Sequence, residues 1–407
     1  MLDDLIRPSS LEVATGWLIG EVDGCDDEDD DLSWKWLSAT SPRQALEAAV
    51  LKALQRPPCV IDFSGGRDSS LVLATATHVA RREGLPLPLP RSNRFPLDAA
   101  SNEDEWQEMV IRHLHLKDWE IATVTGELDI VGERAQSFLL KYGLLVPERF
   151  YVNTASLELA RGGSYLTGEG GDEVLLPRRA RFARAAIGAP RAVARSRAAR
   201  VAVARNLAPR PARFLVLLRQ YSNTQICSWL KPEPARRFNI ELARSMAREP
   251  ISWRSYLRWH LRRRIPHTIA HNMDVIATDY DVLHLQPLLN RAFLASLARC
   301  GGVLGFETRT DAMTFLAEDL LPTAVLARPT KPGYNTAYFT DIAREFTKTW
   351  DGTGLDEELV EPEKLRSALL GPLPNAAGFA LLQAAWLAKR RQDQKCNVVP
   401  ADLAAGS

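Results

Sequence analysis

The chain has 407 residues, 46% of them hydrophobic, enough to bury a large core in one big domain or two. Its 51 basic and 50 acidic residues nearly cancel, so no global field draws in nucleic acid or a membrane surface. The five scattered cysteines form no C-x-x-C pair, the acidic start MLDDLIRPSS lacks a signal-peptide core, and no stretch offers the roughly 18 apolar residues of a membrane span, so the expectation is a soluble protein of the reducing cytoplasm.

Residues 1–45 read as an irregular segment, with an acidic run from Asp23 to Asp31 that suits a solvated, self-repelling loop. From Ser41, SPRQALEAAVLKAL combines a Ser start, a first-turn proline and apolar residues at helical spacing, which predicts a helix. CVIDFS (Cys59 to Ser64) is a short β-type run ending at two glycines, and LVLATATHVARRE is helical as far as Gly84. In LPLPLP and RSNRFP the prolines demote any strand to an edge or short one. Glu103 to Leu116 has the pattern of an amphipathic helix and Asp118 to Val124 that of a strand; two helical stretches lead to SYLTGEGGDE. Strands alternating with helices predict an α/β fold with a parallel sheet, its sheet layer at about 46–176. Beyond Arg178 the β signals fade, which predicts a mainly helical part at about 177–395 and a frayed tail at 396–407. Residues 178–219 hold twelve arginines and no acid, the pattern of one or two helices with a basic solvent face or of a docking surface for an anionic partner.

The chemistry-bearing signal is Ser64-Gly65-Gly66-Arg67-Asp68-Ser69-Ser70, placed between a strand and a helix. Gly65 and Gly66 let backbone approach phosphate, while Ser64, Ser69 and Ser70 offer hydroxyls and amides where a helix dipole favours anions. Asp68 would repel phosphate unless Mg²⁺ lies between them. The pattern S-G-G-x-D-S is the pyrophosphate-loop signature, used when ATP is cut between its α- and β-phosphates; the Walker pattern is missing. A second loop, Thr167-Gly168-Glu169-Gly170-Gly171-Asp172-Glu173, follows another strand, so both motifs belong at the carboxyl edge of a parallel sheet. Asp172 can supply a second metal carboxylate, and Glu169 can face a reacting carboxyl group or an incoming amine.

At these motifs the chain resembles the synthetase domain of the asparagine synthetase family, which carries S-G-G-x-D-S and S-G-E-G-x-D-E. The resemblance extends through His271 to Asn290 and Leu321 to Asn335 and covers roughly residues 45–390, which defines a domain at 46–395. It implies a Rossmann-like sheet of the adenine nucleotide α-hydrolase type and ATP cleavage to AMP and pyrophosphate through an acyl-adenylate, attacked by ammonia or an amine. By position it makes Asp68 and Asp172 Mg²⁺ ligands, and gives Ser64, Gly65, Gly66, Ser69 and Ser70 the pyrophosphate. Thr167 and Gly168 contact the nucleotide, Glu169 serves adenylation or amine deprotonation, and Lys331 neutralises charge building on the phosphates.

Three departures bear on the substrate. Leu2 stands where glutamine-dependent members carry a nucleophilic cysteine, so the expected nitrogen source is ammonia, an amine on the substrate, or a separate glutaminase partner. Leu283 and Leu285 replace a charged pair of the family, which suggests an apolar acceptor pocket that takes aspartate poorly, with His267, His271 and His284 around it. The spacing of Arg328-Pro-Thr-Lys331 is closer to the branch that closes β-lactams and lasso-peptide macrolactams, where the carboxylate is a small molecule or peptide and a biosynthetic-cluster partner is expected. Asp62 replaces a usual apolar residue without an evident reason, while Trp253, Trp259 and the arginines around them read as core and solvated face. Against a tRNA-modifying pyrophosphate-loop enzyme stands the missing C-x-x-C; against a non-catalytic nucleotide sensor, the filling of every expected metal and phosphate position.

Overall fold

The computed structural model describes residues 2–22, 40–176, 178–330 and 332–397; the acidic run Asp23 to Asp31 and tail residues 398–407 lie outside them. Five strands, β1 (Cys59–Asp62), β2 (Leu89–Arg94), β3 (Glu120–Thr123), β4 (Ser164–Leu166) and β5 (Leu283–Leu285), form one sheet in the order β3-β2-β1-β4-β5. Every pairing is parallel. This is the α/β architecture expected, and its topological switch lies between β1 and β4, where the chain order reverses and a crevice opens at the carboxyl edge.

The central strand shows why both faces are covered. Cys59, Ile61 and Phe63 pack into one core and Val60 into the other, the period-two alternation of a strand buried on both sides. Helix Pro42–Leu54 lies on the first face, started by a capping box between Ser41 and Gln44 and by Pro42 in its first turn. It buries Leu46, Val50 and Leu54 completely, and about 2 kcal/mol per such side chain is the scale of its contribution. Helix Arg67–Glu83 packs beside it and ends at Gly84 in the left-handed conformation.

Four expectations need correction. β2 lies inside the sheet rather than at an edge. Phe63 N–H donates to Arg91 O (2.8 Å), so Arg91 faces β1 and Pro90 faces β3, whose pairing starts only at Arg91; the proline nitrogen therefore interrupts no ladder bond. The boundary near 177 does not separate sheet from helices, because β5 joins the sheet from the helical part and residues 253–326 share a core with residues 45–80. A three-residue strand followed by Pro287 is too short to show a period. The N-terminal segment is not irregular throughout: Ser9 and Glu12 cap helix Ser10–Thr15, and Leu5, Ala14 and Leu18 are buried. Trp229 Nε1 donates to Ala14 O (2.7 Å), anchoring that helix. The basic stretch forms four helices, and part of its charge is structural. Arg179 and Arg213 are buried on Glu249, and Arg184 holds the carbonyls of Leu304, Gly305 and Phe306.

Candidate active site

The loop after β1 is held by its own hydroxyls. Ser64 Oγ accepts from Gly66 N–H (3.2 Å) and lies 3.1 Å from Ser69 Oγ, which donates to Gly66 O (3.2 Å). Helix Arg67–Glu83 begins at Gly66 without a side-chain cap, so its first-turn amides are left for an anion. Gly65 has φ +81°, and a Cβ there would lie 2.9 Å from the Gln107 side chain. Its glycine therefore serves the turn and the packing against helix Asp104–His113.

The loop after β4 touches the first. A Cβ on Gly168 would lie 2.7 Å from Ser69 N, and one on Gly171 would lie 2.2 Å from the Asp68 carboxyl. Gly168 and Gly171 are thus explained by one close approach of the two loops. The result is a cleft of about 550 Å³, within the usual range for small-molecule sites, lined by Ser64, Gly66, Asp68, Ser69 and the loop from Thr167 to Glu173. Two expected ligands lie outside this lining: Gly65, turned into the packing just described, and Ser70, fully buried in the helix. Thr167 Oγ1 and Asn93 Oδ1 are buried, line the cleft, and have no hydrogen-bond partner among the described residues, the state of groups kept for a polar ligand.

Asp68 and Asp172 face one another across this cleft and share a cation. The Arg309 guanidinium donates through Nη2 to Asp68 Oδ1 and through Nη1 to Asp172 Oδ1. Burial works against the Arg309 charge, but the two carboxylates outweigh it and raise its pKa. Burial raises the Asp68 pKa, with Arg309 opposing and Asp172 assisting. Among the described residues no group of three or more His, Cys, Asp or Glu could hold a metal alone. Two carboxylates beside a phosphate loop instead fit Mg²⁺, which completes its shell with substrate phosphates and water.

The asparagine synthase family model matches residues 42–396. The chain belongs to the asparagine synthase family. Membership puts it among ATP-dependent amide ligases, whose members use ATP and usually Mg²⁺. Comparison with curated proteins finds no match.

The remaining walls of this asparagine synthase site come from distant segments. Arg328 is buried, grips both oxygens of Glu103, donates to Gly65 O (3.0 Å) and lies over the Trp106 ring at 4.6 Å. It ties the C-terminal loop to the phosphate loop. Arg328→Met leaves the Glu103 carboxylate buried and unpaired, and is expected to cost about 3–5 kcal/mol in urea unfolding. Lys331 lies outside the described residues, but Thr330 and Pro332 line the cleft. Asp62 now has a physical reason: it sits opposite buried Arg91 in the β1–β2 register, and Ser156 Oγ lies 3.4 Å away. Burial raises its pKa and Arg91 opposes this.

The Glu169 side chain is accessible from the cleft but is surrounded by protein on its other sides. Desolvation, followed by repulsion from Glu173 and Asp62, pushes its pKa up to about 7. The acceptor side differs from expectation. Leu283 and Leu285 do not line the cleft; the alternation of β5 sends His284 and Gln286 into it. His284 Nδ1 is 2.7 Å from Asp274 Oδ1, and its buried Nε2 has no partner among the described residues. His267 lines a separate recess, and His271 Nε2 meets Asp4 O at 2.7 Å, so neither joins the cleft.

Arg309 was not legible in the sequence, as a lone arginine far from either motif. Without it two carboxylates confront each other, so Arg309→Ala is expected to lower stability in metal-free buffer by about 1.5–3 kcal/mol. Millimolar Mg²⁺ should then raise its melting temperature by several degrees. A melting curve indifferent to Mg²⁺ would argue against a metal at these carboxylates.

Proposed function

We propose that this protein adenylates a carboxylate with ATP, releasing pyrophosphate, and then joins the acyl group to ammonia or an amine, releasing AMP. The observation that carries this reading is the convergence of both glycine-rich loops on one cleft, with Asp68 and Asp172 sharing one cation between them. Ser64, Gly66 and Ser69, with the first-turn amides of helix Arg67–Glu83, are assigned the β- and γ-phosphates. Asp68 and Asp172 would hold Mg²⁺, which supplies charge neutralisation for the departing pyrophosphate. Lys331 is assigned the same role, from a loop whose neighbours Thr330 and Pro332 reach the cleft.

In the first step a carboxylate oxygen attacks the α-phosphorus and the bond to the bridging oxygen of pyrophosphate breaks. In the second, the amine attacks the acyl carbon, AMP departs with the former carboxylate oxygen, and Glu169 takes the amine proton. A carboxylate with a pKa near 7 is a competent base at neutral pH. With an ¹⁸O-labelled carboxylate, one label should appear in AMP. AMP formed without label would refute an acyl-adenylate. Turnover that requires tRNA would favour a nucleic-acid substrate instead.

A further inference from the structure

A second chamber of about 310 Å³ opens behind Glu169. It shares Glu169, Gly170, Glu173, Ile269 and Gln286 with the cleft, so the two spaces meet at the proposed base. Its body is apolar and aromatic, with Leu242 and Met246 from helix Pro232–Ala247, Tyr256 and Trp259 from helix Trp253–Arg262, and Tyr221 and Trp17 beside them. Arg178, Glu173 and Glu249 also line it; Tyr256 Oη donates to Glu173 O (3.0 Å) and Glu249 Oε2 accepts from Arg213 (2.8 Å). Trp259 is 7% exposed and His260 5%, and Trp259 Nε1, His260 Nδ1 and Arg263 Nε have no hydrogen-bond partner among the described residues. Arg263 lies over the Trp259 ring at 5.0 Å, which fixes its charge beside that indole. Buried donors left without acceptors cost stability, and a ligand acceptor would satisfy them.

We propose that this chamber holds the body of the carboxylic-acid substrate, and that this substrate carries a bulky apolar or aromatic body and a second anionic group. The second anion meets Trp259 Nε1–H and Arg263, while the reacting carboxylate stays at Glu169. This rests on the ligase reading above and names the substrate class for that site. Aspartate has one methylene between its functional carbons, and would leave the apolar walls wet and the far donors unpaired. The apolar environment expected from Leu283 and Leu285 is thus supplied by other residues, on helices beyond the sheet.

Isothermal titration of the full-length, nucleotide-free protein tests this. N-benzoyl-L-glutamate, with a ring and two carboxylates, should bind saturably. N-benzoyl-4-aminobutyrate, with the same ring and one carboxylate, should bind about tenfold more weakly, and L-aspartate more weakly still. Trp259→Phe removes the indole donor and keeps most of the bulk; Arg263→Gln removes the charge. Each should weaken N-benzoyl-L-glutamate about tenfold, and Arg263→Gln should erase the difference between the two benzoyl acids. Met246→Trp, which narrows the chamber from another helix, should abolish binding and covers the case of a misfolded Trp259 variant. No saturable binding by either benzoyl acid, or binding unmoved by all three variants, would overturn the chamber. Adding Mg²⁺, ATP and ammonia separates the two claims. Chamber-dependent binding without AMP formation refutes the ligase reading alone, whereas AMP formation with aspartate, unmoved by the three variants, refutes the chamber alone.

Discussion

Asp68→Asn is expected to lower pyrophosphate formation by at least about 10²–10³-fold while the protein stays folded. The substitution keeps shape and removes one negative charge from a site where Arg309 already joins Asp68 to Asp172. The reason for separating activity from stability lies in the direction of the Asp68 pKa. Burial, the largest influence, holds it above the ordinary carboxylate value. An acid shifted that way binds its proton more tightly in the folded state. Folding stability therefore falls as pH rises through the interval between the unfolded and folded pKa values, and the deficit persists above it. At pH 7 the neutral asparagine should thus melt at the wild-type temperature or higher. Inactive and stable is the expected result; full activity would sink the metal assignment, and inactivity through unfolding would leave Asp68 with a structural role.

Glu169→Gln should reduce amide formation by about 10²–10⁴-fold, the usual range for a lost general base. The wild-type rate of the amine-dependent step should rise with pH and level off above an apparent pKa near 7, because Glu169 acts as a base only when ionised. In Glu169→Gln that limb should vanish. Exchange of labelled pyrophosphate into ATP reports adenylation alone and should survive, since no proton leaves the amine in that half-reaction. Equal loss of exchange and amide formation would move Glu169 to the adenylation step. An unchanged pH profile in the variant would remove it from proton transfer.

What the sequence disclosed follows from how each part is encoded. Both loops are contiguous strings in which glycine, hydroxyl and carboxylate stand at fixed offsets, and the structure shows why: Gly168 and Gly171 are where the two loops touch. β1 and β3 were legible as β-type runs, and the three-residue β4 through the glycine motif that follows it. β5 has three residues, no period and no glycine motif after it, so Leu283 and Leu285 were assigned to the cleft wall; His284 was expected around the pocket and lines it, while Gln286 was passed over. Arg309 and the Arg328–Glu103 pair bridge segments more than a hundred residues apart, and single charged residues carry no local pattern. The chamber behind Glu169 is built from helices and loops scattered from Trp17 to Leu289; Trp259 is an ordinary apolar position in the amphipathic helix Trp253–Arg262 until its neighbours are placed. Asp62 looked anomalous because its partner Arg91 sits on the next strand, and register is not written in sequence spacing.

The central claim is that ATP is cut between its α- and β-phosphates in the cleft shared by the two loops. The most direct measurement is chromatographic quantification of nucleotides and phosphates after incubating the full-length protein with Mg²⁺, ATP, ammonia and a panel of carboxylic acids that includes N-benzoyl-L-glutamate and aspartate. Acid-dependent formation of AMP and pyrophosphate in equal amounts, lost in Asp68→Asn, is the expected result. Formation of ADP and phosphate, or AMP production indifferent to both the acid and Asp68, would contradict it.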